Sequence, residues 1–112
     1  MNKLSETIIA AIEDKKGQSI VSLDLRGFDG AVCDEFIICN ADSGTQVLSI
    51  ADGIEEEVFK QHHEWPIRKE GTENALWVIV DYGDVVAHIF RTEAREFYRL
   101  EDLWADAIIK KF

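Results

Sequence analysis

Proline and cysteine are almost missing from this chain: Pro66 stands alone, and Cys33 and Cys39 are the only thiols. So few cysteines exclude a disulfide scaffold, and the two present lie six positions apart in a segment read as extended. At about 3.3 Å per residue they stand roughly 20 Å apart, far outside disulfide reach. Both are read as small structural thiols. Long apolar runs are missing too. The longest, residues 75–80, falls far short of the roughly 20 residues that a membrane-crossing helix requires, so no membrane partner is expected. Residues 1–6, Met-Asn-Lys-Leu-Ser-Glu, meet an acid before any apolar stretch develops. No secretory signal is read there, and a reducing, cytoplasmic setting is expected. Positive charge is the last scarcity. Twelve Lys and Arg stand against 22 Asp and Glu, a formal net charge of −10. Such a surplus repels phosphate and leaves little to release the counterions of a nucleic acid, so direct DNA or RNA binding is not expected. Encounter with a basic partner would be accelerated.

What is present suffices for one core. A chain of 112 residues, 46% of them hydrophobic, should bury roughly two thirds of its unfolded surface without metals or disulfides, which points to a single domain over residues 1–112. Leu4, Ile8, Ala11 and Ile12 share a helical face, with Gly17 available as the residue just past the helix end. Val21, Leu23 and Leu25 alternate as in a strand with one wetter face, and residues 35–39 are apolar on both faces, as in a central strand. Ser43 and Gln46 have capping-box spacing at the start of a helix that carries Val47, Ala51, Ile54 and Val58 to near Gln61. Pro66 bars a central strand over residues 65–69 and leaves an edge strand or an extended connector. Residues 75–80 and 85–90 form a hairpin around Asp81-Tyr82-Gly83-Asp84. Thr92 can cap a helical turn through Phe97, and Leu100, Leu103, Trp104, Ala107 and Ile108 make the apolar stripe of a last helix. The order implies an α/β fold: one layered domain with a mixed sheet flanked by helices, parallel where a helix separates two strands and antiparallel in the hairpin.

Familiar chemistry is sparse. There is no Gly-rich phosphate loop, no nucleophile elbow and no paired Cys-x-x-Cys. The adjacent His62 and His63 diverge by about 100° on a helix and do not readily share one ion, so no metal and no cofactor is expected. Asp81 and Asp84 flank the turn, where Asp ordinarily bonds nearby backbone donors. Val86, His88 and Phe90 share one strand face, which sets an imidazole among apolar groups. Whether Trp77 or Leu76 lies opposite His88 depends on a two-residue Tyr82-Gly83 loop or a three-residue one, and the sequence leaves both open.

Residues 77–90, Trp-Val-Ile-Val-Asp-Tyr-Gly-Asp-Val-Val-Ala-His-Ile-Phe, and 97–104, Phe-Tyr-Arg-Leu-Glu-Asp-Leu-Trp, form a pattern that resembles the ribosomal silencing factor family, also called Iojap. The likeness extends to Lys16-Gly17, residues 34–39, Ser43-Gly44-Thr45, residues 49–52 and Glu70-Gly71, and so covers essentially the whole chain. It implies a bacterial cytoplasmic protein that binds the large ribosomal subunit through its fourteenth-numbered protein. Occupying that face would block the small subunit and repress translation sterically, with no reaction catalysed. The partner-binding candidates carried over are Trp77, Asp81, Gly83, Asp84, His88, Phe90, Tyr98, Leu100, Glu101 and Trp104. Each has a structural rival: Gly83 suits the turn, for example, and Leu100 and Trp104 suit a helix core. Where the family pattern has a basic residue after Ser43-Gly44-Thr45, this chain has Gln46-Val47, which argues against a phosphate contact there.

The resemblance also implies a nucleotidyltransferase-like fold, with Ser43-Gly44 where those enzymes carry a Gly-Ser motif. A nucleotide-binding protein of that kind is the alternative. Such enzymes need paired acids on an adjacent strand to hold two Mg²⁺ ions, and no Asp-x-Asp follows the motif here. Relatives of this family can self-associate, so a homodimer is a third expectation, and its aromatic surface could serve both uses.

Overall fold

In a computed structural model, which describes residues 2–112, the first helix begins where Asn2 accepts the Ser5 amide at 2.7 Å. This helix, α1 (Lys3–Asp14), leads into β1 (Gln18–Asp24) and β2 (Glu35–Ala41). Next come α2 (Gly44–His62), a short β3 (Arg68–Glu70), β4 (Trp77–Asp81) and β5 (Val85–Arg91). After β5 follow α3 (Thr92–Tyr98), a 3₁₀ turn (Leu100–Trp104) and β6 (Ile108–Lys111). All six strands join one mixed sheet in the order β3-β4-β5-β2-β1-β6. Only β2 and β5 run parallel; the other neighbours are antiparallel. β2 is interior, as its apolar run requires, and β3 lies at the edge just past Pro66, where a missing ladder N–H costs nothing.

One sheet face is sealed by helices. Ile8, Ala11 and Ile12 of α1 and Val47, Ile50, Ala51, Ile54 and Val58 of α2 pack on Ile37, Cys39, Val78, Val80, Ala87 and Ile89. Fully burying an Ile or Val contributes roughly 1.5–3 kcal/mol each, so this face carries most of the apolar stabilisation. On the other face lie Val21, Leu23, Phe36, Ile38, Val86 and Phe90, roofed by Ala94 of α3, Leu100 and Trp104 of the 3₁₀ turn, Ala107 and the 25–34 segment. That cover is thin, and it leaves Trp77, Ile79 and Trp104 partly in solvent.

Four local expectations change. Ser43 caps α2 by accepting the Gln46 amide at 3.1 Å, but the Gln46 side chain does not close a capping box. It donates to the Lys15 and Lys16 carbonyls at 3.4 and 3.2 Å, joining the end of α1 to the start of α2. At the end of α1 the left-handed residue is Lys16 (φ 65°), and Gly17 sits one place further on, donating to the Ile12 carbonyl at 2.9 Å. Glycine is required there for closeness, because a Cβ at 17 would stand 2.3 Å from Ile12 Cγ2.

The hairpin pairs Asp81 with Val86, Ile79 with His88 and Trp77 with Phe90. Neither loop considered from the sequence fits, because the two-residue loop is Gly83-Asp84, closed by Tyr82 donating to Val85 at 2.9 Å. Gly83 takes the positive φ (92°) that such a first loop position favours. The last helix is also replaced. Arg99 in the left-handed region (φ 49°) ends α3, and one 3₁₀ turn brings Leu100 and Trp104 onto the second core. The chain then straightens into β6 along β1, pairing Asp24 with Ile108 and Leu23 with Ile109. The β-branched Ile108-Ile109 pair suits a strand, and β1's outer backbone groups gain partners that a helix could not supply.

Candidate functional site

The thinly covered face gathers many of the aromatic residues. Trp77 on β4 stacks on Phe90 of β5 at 4.8 Å between ring centroids and meets the Tyr98 ring at 5.1 Å. Tyr98 abuts Phe97 edge-on, also at 5.1 Å. Phe97 is 80% exposed, Leu103 75% and Tyr98 49%. Trp104 stands edge-on to Phe28 at 5.5 Å and to Phe36 at 6.0 Å. A row of rings thus runs across the sheet from α3 to the 25–34 segment, apolar at both surface and floor.

His88 lies within this row and is only 5% exposed. The Trp77 indole N–H donates to its Nδ1 at 3.0 Å. An indole nitrogen only donates, so Nδ1 must be the bare nitrogen and Nε2 carries the proton. Burial pushes the pKa down to about 4 against a smaller upward pull from Asp81, so the ring is neutral near pH 7. Its Nε2–H has no partner among the described residues, an arrangement that costs roughly 1–3 kcal/mol.

The ten residues singled out from the sequence do not form one patch. Trp77, Phe90 and Tyr98 meet at the end of the hairpin near α3, over His88. Phe90 and Leu100 are buried and support that surface from beneath. Asp81, Gly83 and Asp84 lie at the opposite end of β4 and β5. There Asp81 accepts the Gly83 amide at 2.7 Å and faces Arg68 at 3.3 Å, which is ordinary turn and edge chemistry. Glu101 makes a two-pronged pair with Arg95 at 3.0 and 2.9 Å. Arg95 also donates to the Ser19 carbonyl at 2.6 Å and to Asn40 Oδ1 at 2.8 Å. That network ties the 3₁₀ turn and α3 to the sheet. Its members Arg95 and Asn40 escape sequence reasoning, because the pairing crosses the break at Arg99 and no periodicity announces it. Phe97 and Leu103, absent from the sequence candidates, are largely exposed apolar groups; the adjacent Phe97-Tyr98 pair is the available signal.

At the far edge of the parallel pair the polar groups satisfy one another. Thr92 donates to Asp42 at 2.6 Å and accepts from Asn40 at 2.9 Å, while Ser43 is held as a helix cap. Among the described residues no group of three or more His, Cys, Asp or Glu could hold a metal ion, and no helix is long and apolar enough to cross a membrane.

A family model described as "Ribosomal silencing factor during starvation" matches residues 1–111. The chain belongs to this family. It is 41% identical to the ribosomal silencing factor of Bacillus subtilis over 99 residues, 88% of this chain and 81% of that protein. To the ribosomal silencing factor of Halalkalibacterium halodurans it is 39% identical over 105 residues, 94% of this chain and 88% of that one. A crystal structure of a Chromobacterium violaceum protein superposes with a TM-score of 0.87 at 32% identity, covering 94% of this chain and 88% of that chain. In this chain the two segments that carried the resemblance, 77–90 and 97–104, build β4, most of β5, the end of α3 and the 3₁₀ turn, and so frame the aromatic face.

Proposed function

We propose that this chain docks its aromatic face on the large ribosomal subunit, on the fourteenth-numbered protein. Seated there it blocks the small subunit and represses translation in the cytoplasm, acting by bulk rather than by catalysis. Family membership supports ribosome-associated regulation of translation. The observation that carries the docking reading is the ring cluster of the half-buried Trp77 with the exposed Phe97 and Tyr98, joined by the exposed Leu103, on the sheet face that only the short α3 and the 3₁₀ turn cover thinly. Aromatic anchors on a firm floor are what concentrated binding energy requires, and a chain of charge −10 favours a basic protein over rRNA phosphates. Asp81 and Asp84 would meet the partner only if its contact extends along the hairpin to the tip.

Sedimentation with separated ribosomal subunits, at a magnesium level that permits joining, tests this. Travel with the large subunit and a shrunken joined peak are expected; protein left at the top of the gradient with normal joining would overturn the proposal. A homodimer formed through the same rings is the second reading, favoured by their exposure. It predicts a dimer that dissociates on meeting the ribosomal protein, measured by light scattering after gel filtration. The strand, Ser43-Gly44 and helix succession is the part of the fold that suggests a nucleotidyltransferase-like ancestry. With Ser43 engaged as a cap, we assign it no transfer chemistry, and calorimetric binding of nucleotide with Mg²⁺ would overturn that assignment.

A further inference from the structure

We infer that His88 is a positioning residue for the docking face, holding the Trp77 indole in one orientation by accepting its N–H. The inference rests on the docking reading above. Shape alone does not call for an imidazole at 88. The ring sits 4.4 Å from Phe36, edge-on, and near-parallel to Phe90, surroundings that a phenyl ring would fill without burying an unpartnered Nε2–H of its own. What imidazole adds is the Nδ1 acceptor, and that acceptor is engaged by Trp77 at 3.0 Å.

Two consequences concern the partner. First, Trp77 is fixed between its stack on Phe90 and its contact with Tyr98, so the surface is formed before the partner arrives and little side-chain ordering remains. Second, the indole N–H is turned inward and cannot donate across the interface. A partner therefore meets Trp77 through ring carbon, which suits an aliphatic side chain or the stem of a basic residue, and excludes a carbonyl or carboxylate that needs a donor.

The test uses the full chain with His88→Phe, which keeps the ring and removes the acceptor, and His88→Asn, whose Oδ1 takes the place of Nδ1. The three tryptophans give three indole N–H signals in a nitrogen–proton correlation spectrum, and Trp77→Phe identifies the one from residue 77. In the wild type that signal should exchange slowly with water. His88→Phe should speed its exchange at least tenfold, move its shift and weaken binding to isolated large subunits about tenfold. His88→Asn should restore slow exchange and most of the binding. Should His88→Phe not fold, His88→Leu replaces it. Wild-type binding by a folded variant without the acceptor would overturn the inference, as would rapid indole exchange in the wild type. If the wild type does not bind large subunits, the docking reading fails, and the indole exchange still decides whether His88 holds Trp77.

Discussion

Acid should loosen this protein through His88 before most carboxylates matter. The imidazole has a pKa of 6.5 in an unfolded chain and about 4 in the fold, where burial penalises its charged form. Between those values the unfolded chain binds more protons than the folded one, so stability falls as pH falls through that window and is fully present above it. At about 1.4 kcal/mol per pH unit, the loss reaches about 2 kcal/mol by pH 5 and about 3 kcal/mol near pH 4. Native domains are stable by roughly 5–15 kcal/mol, so this is a large fraction. Urea unfolding at half-unit steps from pH 7.5 to 4.5 measures it, on the wild type and on His88→Asn. Carboxylates that also titrate are common to both and cancel in the difference. The wild type should lose stability relative to the variant as pH drops below 6.5. A difference that stays flat from pH 7 to 5 would refute the burial argument, and a wild type that gains on acidification would mean that the ring is charged and partnered.

Tyr98→Ala should weaken large-subunit binding by about 1–2 kcal/mol, read by quantitative co-sedimentation, and change folding stability by less than about 1 kcal/mol, because half of the ring is already in solvent. Gly71→Ala should destabilise by more than about 2 kcal/mol in urea titration. Residue 71 has φ 85°, and a Cβ there would stand 1.9 Å from the Trp77 carbonyl oxygen, so the loop before β4 must shift. Both thiols should resist alkylation at pH 8 in the folded state, because burial raises Cys33 to about 11 and Cys39 to about 12. Mass spectrometry after brief exposure to a thiol reagent reads this, and rapid labelling of Cys39 would mean that the central strand opens.

Periodicity reveals whatever depends on one face. It locates α1, α2, the buried strand through residues 35–39 and the hairpin, because each must turn apolar groups toward one or two layers. It fails where a stripe is ambiguous. Leu100, Trp104 and Ala107 do reach the second core, but through a 3₁₀ turn and the approach to a strand, since the open edge of β1 competes with helix formation. Register fails for a related reason. The position of Gly83 in its loop sets which residue faces His88, and several loops share the same four residues. The resemblance offers candidate site residues as a set, whereas their division into a ring cluster, a turn and the Arg95–Glu101 pair depends on contacts between distant segments.

The parallel ladder at the middle of the sheet also sets how the chain must fold. Glu35 pairs with Val85 and Ala41 with Arg91, so every rung joins residues fifty positions apart, with α2, β3 and β4 between them. Local hairpins and helices can form early and cheaply, but that seam waits for a long loop to close, the kind of non-local step that slows folding. A chain stopped before residue 85 would hold α1, α2 and two separate strand pairs, β1–β2 and β3–β4, with the edge of β2 bare. Completing β5 is therefore the event that turns separable pieces into one cooperative unit.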